Sequence, residues 1–275
     1  MRKIFRFGLA ALLCVLAVPG VTDDHAGKLR KLLTADEARA WQAVGRLNIG
    51  RSSFCTGALV APDLVLTAAH CLFDPVTGRM VPSSDVEFLA GWRNGRAVAY
   101  RKARRFVVSK SYDFKQQIVL QRVANDVALI ELDRPIRDST ILPFKSSSTT
   151  RIGENVKVVS YAKDRSEVPS IEEPCNILDA DARTLVLSCT VNFGASGSPI
   201  FVVDHGEPRI ASVVSAMAKW RDQDVSLGVS LGDPLDDLIR EMNETSAVFR
   251  SRKPGVMSLQ EQLGNAENSS NFFQR

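Results

Sequence analysis

Residues 54–71 read FCTGALVAPDLVLTAAHC, and no other stretch carries as much information about the fold. Two apolar runs are separated by Pro62 and Asp63, the pattern of a β-hairpin. The hairpin would place His70 directly after a strand, beside Cys71. A single histidine is most often an ordinary core or surface residue, so a catalytic role for His70 depends on partners elsewhere in the chain.

Two further stretches supply candidate partners for that histidine. Residues 125–132, NDVALIEL, place Asp126 at the start of an apolar strand, where an acid is costly unless it is hydrogen-bonded or paired. Residues 194–199, GASGSP, place Ser196 among glycines that permit an unusual turn and close approach of a substrate. Each has an ordinary alternative: a surface aspartate that starts a strand, and a plain Gly/Ser turn.

The three candidates follow one another in the order His, Asp, Ser, which is one of the known orders of a Ser-His-Asp triad. A serine hydroxyl is a poor nucleophile at neutral pH, so an imidazole must accept its proton. A carboxylate then holds the imidazole in the useful tautomer and stabilises its charged form. The pattern therefore predicts nucleophilic hydrolysis.

In residues 67–71 (TAAHC), 126–130 (DVALI) and 194–199 (GASGSP), the chain resembles the trypsin-like, chymotrypsin-fold serine proteases, especially their short bacterial secreted branch. The resemblance extends over residues 40–245. It implies an all-β fold of two packed antiparallel β-barrels with the active site in the cleft between them.

The resemblance also implies a role for each motif residue. Ser196 would be the nucleophile, His70 the general base and later the acid, and Asp126 its orienting partner. The backbone N–H groups of Gly194 and Ser196 would form the oxyanion hole. The hydroxyl of Ser215 would hydrogen-bond Asp126, or would be a strand serine without a role.

The same resemblance implies five substrate-binding residues, which are Thr190, Ser215, Ala216, Met217 and Gly228. Thr190 falls near the base of the primary pocket, where trypsin uses an aspartate to bind Lys or Arg. We therefore expect no strong preference for basic residues.

One departure from the family concerns activation. Many members place an acid just before the nucleophile and pair it with an N-terminus released by cleavage, but this position is Ala195 and no Ile-Val-Gly-Gly start is present. The resemblance therefore implies activity without that cleavage, and an oxyanion loop that is held in another way.

The N-terminus predicts export. Arg2, Lys3 and Arg6 precede an apolar run that is too short to span a bilayer, and small residues follow, as in a secretory signal peptide. Its removal would leave Cys55, Cys71, Cys175 and Cys189, an even count that suggests two disulfides with three possible pairings. The local pairing, Cys55–Cys71 with Cys175–Cys189, closes two short loops. Without a Cys-x-x-Cys motif or a histidine cluster, we expect no metal and no cofactor.

The chain divides into five predicted segments: a signal peptide (1–20), a partly mobile leader (21–39), a first β-barrel (40–145), a second β-barrel with a C-terminal helix (146–245) and a disordered tail (246–275). A capping box at residues 34–37 predicts a helix that continues into residues 38–43. Asp233 and Pro234 predict the start of the C-terminal helix. Its apolar face is Leu235, Leu238, Ile239 and Met242.

Composition limits the function further. A hydrophobic fraction of 45% and a charged fraction of 24% exclude a wholly disordered, collagen-like or polytopic membrane protein. Removal of the three basic residues of the signal peptide would lower the net charge of +4 to +1, so no nucleic-acid-binding surface is indicated.

These patterns together predict a periplasmic or extracellular monomer without a membrane anchor, which acts on protein or peptide substrates. The principal alternative is a non-catalytic binding protein of the same fold. A chaperone-protease and an esterase are further alternatives.

Overall fold

The structure is a computed structural model that describes residues 28–181 and 183–251. The predicted signal peptide (1–20) and residues 252–275 of the predicted tail lie outside the described residues.

The first barrel is a closed ring of six antiparallel strands. The elements of this half of the chain are β1 (Lys28–Lys31), α1 (Ala35–Arg39), β2 (Val44–Ile49), β3 (Ser53–Ala61), β4 (Leu64–Thr67), β5 (Val86–Ala90), β6 (Ala99–Val108), α2 (Val119–Val123) and β7 (Ala128–Leu132). The ring follows the order β2-β3-β4-β7-β6-β5, so the predicted hairpin of residues 54–71 is the pair β3–β4.

The second barrel is also closed. Its elements are β8 (Asn155–Ser160), β9 (Ser170–Asp181), β10 (Thr184–Leu187), β11 (Pro199–Asp204), β12 (Glu207–Trp220) and β13 (Gln223–Ser230), followed by α3 (Asp233–Ser251). The order is β9-β10-β13-β12-β11-β8, and the pairing of β8 with β9 closes the ring. The predicted all-β fold of two antiparallel barrels with a C-terminal helix is confirmed.

Aromatic residues join the two barrels. Trp41, just before β2, lies 5.0 Å between ring centroids from Phe201 of β11, and Phe144 of the connecting segment lies 4.7 Å from the same ring. Offset and edge-on contacts at such distances stabilise by about 0.5–1.5 kcal/mol beyond area burial. This cluster therefore helps to fix the barrels against one another.

Part of the predicted leader is ordered. β1 pairs with β9 of the second barrel, and the capping box at Thr34 is present, with its hydroxyl accepting from the Glu37 N–H at 3.2 Å. The prediction that this helix continues into residues 38–43 is wrong, because α1 ends at Arg39 and β2 already begins at Val44.

The C-terminal helix begins at Asp233 as predicted, and Leu235, Leu238 and Met242 are buried. It contacts β6 and β7 of the first barrel, although it follows the second barrel in the chain. The prediction of disorder from residue 246 is wrong for residues 246–251, which continue α3. Within the described ranges, no helix is both long and apolar enough to cross a membrane.

The structure contains both disulfides of the local pairing. Cys55 is bonded to Cys71 across 16 residues, and Cys175 to Cys189 across 14 residues. The first links β3 to the segment that carries His70, and the second links β9 to the loop that leads to Ser196.

Removing either disulfide should lower the free energy of unfolding by about 3 kcal/mol, because the unfolded chain regains the entropy of a loop of this size. The double variants Cys55→Ala/Cys71→Ala and Cys175→Ala/Cys189→Ala, unfolded in urea without reductant, test this. An unchanged midpoint and slope for either variant would contradict the expectation.

Candidate active site

The position of His70 is determined by the segment after β4. A 3₁₀ helix spans Ala69–Leu72, and the disulfide from Cys71 ties it to β3. The backbone N–H of His70 donates to Asp126 Oδ1 at 2.8 Å, and ring Nδ1 lies 2.6 Å from Asp126 Oδ2. Both contacts orient the ring, so that Nδ1 carries the proton and Nε2 keeps its lone pair.

The carboxylate of Asp126 is almost completely removed from water, with 2% of the residue exposed. Its own N–H donates to the carbonyl of Val123 in α2, which places the residue just before β7. Besides the two donors of His70, the hydroxyl of Ser215 donates to Oδ2. A buried carboxylate requires such donors, because an unpaired one would be strongly destabilising.

The contact from Ser215 depends on a β-bulge. In the pairing of β12 with β13, Val214 lies opposite Gly228 and Ala216 lies opposite Leu227, so Ser215 is the extra residue. A bulge redirects a side chain at the point where it interrupts the ladder. Here it directs the Ser215 hydroxyl from the second barrel to Asp126 of the first.

The electrostatics of this pair make the imidazole of His70 more basic. Burial lowers the pKa of His70, but the adjacent Asp126 carboxylate raises it by more, so that the pKa lies above the ordinary value of 6.5. Arg122 acts in the opposite direction to Asp126 and lowers the pKa of His70. A base whose pKa is raised in this way is a stronger proton acceptor.

Ser196 lies in the same cleft as His70, on the loop between β10 and β11. Gly194 begins the turn with a φ of +95°, a region that favours glycine. Among the described residues, the Ser196 hydroxyl makes no hydrogen bond to His70 Nε2, which instead lies 4.0 Å from the Cys71 sulfur. Hydrogen bonds between catalytic side chains are often long or poorly aligned before substrate binds.

The cleft has a volume of about 1050 Å³ and separates the barrels. Ser215, Ala216 and Met217 line it, as predicted for the segment beside the substrate. Sequence reasoning missed its aromatic residues, which are Phe54, Phe73, Phe114 and Phe193. They are scattered along the chain and share no motif.

Two predicted pocket residues do not line this cleft. Gly228 lies in β13, where an added Cβ would meet Ser212 Oγ at 2.3 Å in the barrel interior. Thr190 is exposed, and its N–H and hydroxyl both donate to Glu172, at 2.8 and 3.1 Å. The prediction that these residues contact substrate stays a prediction.

Glu172 is a residue that the sequence did not single out. It lies within β9 and is 2% exposed. Burial raises the pKa of its carboxyl, against the donors of Thr190 and the charge of Arg165. No local signal marks it, because its neighbours Ser170 and Ile171 are buried as well and the strand does not alternate.

Cys55, His70 and Cys71 lie close enough together to suggest a metal site. The two sulfurs are joined in the disulfide, so neither is a thiolate that could ligate an ion. One histidine remains, which does not make a metal centre.

The fold and the site together define a two-barrel hydrolase-like architecture, in which Ser196 and His70 line one cleft and the buried Asp126 is bonded to His70. The chain belongs to the family of trypsin-like peptidase domains, whose model matches residues 55–208, more than half of the chain.

Individual relatives agree with this family. The chain is 32% identical to a trypsin of Sarcophaga bullata over 131 residues, which are 48% of this chain and 47% of the relative. It is 27% identical to a glutamyl endopeptidase of Bacillus licheniformis over 179 residues, 62% of this chain and 52% of the relative. The chain thus spans about half the length of these curated relatives.

Solved structures show the same fold at low sequence identity. A glutamyl endopeptidase in complex with MPD superposes with a TM-score of 0.65 at 20% identity, covering 79% of this chain and 96% of that one. A thermostable serine protease, AL20, from an extremophilic microorganism superposes with a TM-score of 0.57 at 16% identity, covering 72% and 95%.

The charge of Asp126 should control the protonation of His70. In an NMR titration the pKa of His70 should lie above 6.5, and in Asp126→Asn it should fall below 6.5, because burial then acts without the compensating carboxylate. The chain has three histidines, so His70→Gln assigns the signal. A His70 pKa that is unaffected by Asp126→Asn would contradict the geometry.

Proposed function

We propose that the chain is an exported serine endopeptidase that cleaves proteins or peptides through an acyl-enzyme intermediate. One observation carries the proposal: the His70 ring, oriented by the buried Asp126, faces the same cleft as Ser196 and Gly194. The relatives named trypsin and glutamyl endopeptidase support peptide-bond hydrolysis.

Attack on the substrate begins with a proton transfer. His70 Nε2 accepts the proton of Ser196 Oγ as that oxygen attacks the carbonyl carbon of the scissile bond. The imidazolium that forms is stabilised by Asp126 at 2.6 Å. This transfer requires Ser196 Oγ and His70 Nε2 to lie at hydrogen-bond length, about 2.6–3.2 Å, in the complex with substrate.

The developing oxyanion is bound by the N–H groups of Gly194 and Ser196, which point to where the negative charge forms. When the tetrahedral intermediate collapses, His70 donates its proton to the leaving amine. Water then attacks the acyl-enzyme with His70 as base, and Ser196 recovers its hydrogen.

Ser215 keeps Asp126 in place during these steps. Its hydroxyl and the two donors of His70 satisfy the carboxylate, so Asp126 stays aligned when the imidazole is charged. Ala216 and Met217, next in β12, lie beside the substrate backbone in this proposal.

Export is part of the proposal. The predicted signal peptide (1–20) and the two disulfides are both typical of chains that fold outside the cytoplasm. The destination is the periplasm or the extracellular medium.

Ser196 should be labelled by a fluorophosphonate, because the reagent requires a serine whose proton a base removes. Ser196→Ala should abolish labelling. Ser198→Ala is the matched control, since Ser198 is two residues away but is fully buried, and it should still be labelled. An unlabelled but folded protein would favour the non-catalytic binding protein instead, and cleavage of esters but not of a peptide library would favour an esterase.

The pH dependence should follow His70. Neutral imidazole is the active form, so kcat/KM should fall as the pH is lowered through the pKa of His70, with a midpoint above 6.5. Asp126→Asn should move this midpoint to lower pH and reduce kcat by about 10⁴-fold. Midpoints that coincide in the two proteins would contradict the assignment of His70 as the base.

A further inference from the structure

The loop of residues 192–197, here called the oxyanion loop, contains no charged residue that could fix its conformation through an ion pair. Ala195, which takes the position of the activating acid in many family members, is completely buried. A loop that must present two N–H groups needs other contacts, because a donor misplaced by about 1 Å can cost 10²-fold in rate. Within its own barrel the loop is hydrogen-bonded to the backbone of Lys163 and Val214, and from the opposite barrel it is contacted by Thr56.

Thr56 of β3 supplies three of the bonds at this junction. Its backbone N–H donates to the carbonyl of Ser196 at 2.8 Å. Its hydroxyl donates to the carbonyl of Gly194 at 3.0 Å and accepts from the N–H of Tyr161, also at 3.0 Å. Thr56 is completely buried, so water does not compete for these groups.

Thr56 is itself held in place. The hydroxyl of Thr67 in β4 donates to its carbonyl at 2.9 Å, and Thr67 is completely buried too. The next residue back, Cys55, is bonded to Cys71 beside His70. The residue that contacts the oxyanion loop is therefore part of the same rigid hairpin that positions the imidazole.

The carbonyls on both sides of the two N–H donors accept hydrogen bonds. Thr56 binds the carbonyls of Gly194 and Ser196, which follow the donors in the chain, whereas the carbonyls of Phe193 and Ala195 share a peptide group with the donors and set their direction. In a trans peptide the C=O and the following N–H point in opposite directions. The carbonyl of Phe193 accepts from the Lys163 N–H at 2.7 Å, so the N–H of Gly194 is directed away from Lys163. The carbonyl of Ala195 accepts from Ser198, so the N–H of Ser196 is directed away from Ser198.

Close packing leaves the loop little freedom against β3 and β4. An added Cβ at Gly194 would lie 2.4 Å from the ring of Phe54. At Gly197 it would lie 2.2 Å from Thr67 Oγ1 and 2.3 Å from the carbonyl oxygen of Thr56. Both glycines are therefore required by close approach as well as by their positive φ.

We infer that Thr56 is a positioning residue that holds the oxyanion loop in its working conformation, in place of a charge pair with a cleaved N-terminus. The inference depends on the proposed function, because only a reacting carbonyl uses this loop. Thr56 does not touch substrate, and it acts through Gly194 and Ser196.

Loss of the Thr56 hydroxyl should lower kcat. Thr56→Val keeps the shape and the backbone bond to Ser196, but it releases the carbonyl of Gly194 and leaves the N–H of Tyr161 unpaired. Removal of an oxyanion donor costs about 10²–10³ in turnover, so releasing the peptide group that follows Gly194, which lets this donor shift, should cost less, about 10–100-fold. KM should stay within about twofold, because the loop acts on the transition state.

The experiment compares four proteins: the wild type, Thr56→Val, Thr56→Ser and Ser188→Ala. Ser188 is a buried control, whose hydroxyl accepts from a backbone N–H, that of Asn176 at 2.8 Å, away from the oxyanion loop. The measurements are kcat, KM, the pH midpoint of kcat/KM and the melting temperature.

We expect Thr56→Ser to retain kcat within about threefold, because the hydroxyl is what matters. Thr56→Val and Ser188→Ala should both lower the melting temperature, but only Thr56→Val should lower kcat. The pH midpoint should be unchanged in all four proteins, since the pair of His70 and Asp126 is untouched.

Three results would overturn the inference: wild-type kcat in Thr56→Val, an equal loss of kcat in Ser188→Ala, or a shifted pH midpoint in Thr56→Val. If Thr56→Val does not fold, Thr67→Val takes its place, because this substitution releases the carbonyl of Thr56. An unchanged kcat in Thr67→Val would also contradict the inference. If the wild type neither cleaves peptides nor reacts with a fluorophosphonate, both the proposed function and the inference are wrong. If the wild type and Thr56→Val are both fully active, only the inference is wrong.

Discussion

The carboxylate of Asp126 lies at a position with 2% exposure, and much of the architecture follows from the need to satisfy it there. Its donors are the backbone and ring of His70 and the hydroxyl of Ser215, two residues that are distant in the chain from each other and from Asp126. A buried charge without these donors would be strongly destabilising. The requirement therefore makes the 3₁₀ turn after β4 and the bulge in β12 parts of one unit.

The two barrels support each other's reactive groups in opposite directions. Ser215, from the second barrel, reaches Asp126 of the first, while Thr56, from the first barrel, reaches the loop of Gly194 and Ser196 in the second. The aromatic contacts around Phe201 hold the barrels together away from the cleft. The reactive groups of the cleft are therefore aligned only when both barrels are folded and packed against each other.

Two of the residues predicted for the primary pocket, Thr190 and Gly228, lie outside the lining of the cleft. Thr190 is bonded to the buried Glu172 instead of lining the cleft, and Gly228 is packed in the interior of the second barrel. The position of Thr190 before Ser196 marks it as a pocket residue of the family, but that position does not indicate that the side chain bonds to an acid of β9. Glu172 belongs to β9, in which Ser170, Ile171 and Glu172 are all buried. Buried and exposed residues therefore do not alternate there, and no periodic pattern marks the strand or its acid.

Local patterns were sufficient for the elements that form from neighbouring residues: the β3–β4 hairpin, the capping box of α1, the start of α3 and the order of His70, Asp126 and Ser196. The resemblance to the family also suggested the contact from Ser215, with a strand serine without a role as the alternative, but only the bulge in β12 directs that hydroxyl to Asp126. Tertiary structure alone decided that Thr56 contacts the oxyanion loop, that Glu172 is buried under Thr190 and that α3 packs on the first barrel. The physical reason is that propensity, capping and hydrophobic period act over a few residues. The partners of a buried polar group are instead selected by whichever distant segments the closed barrels bring to it.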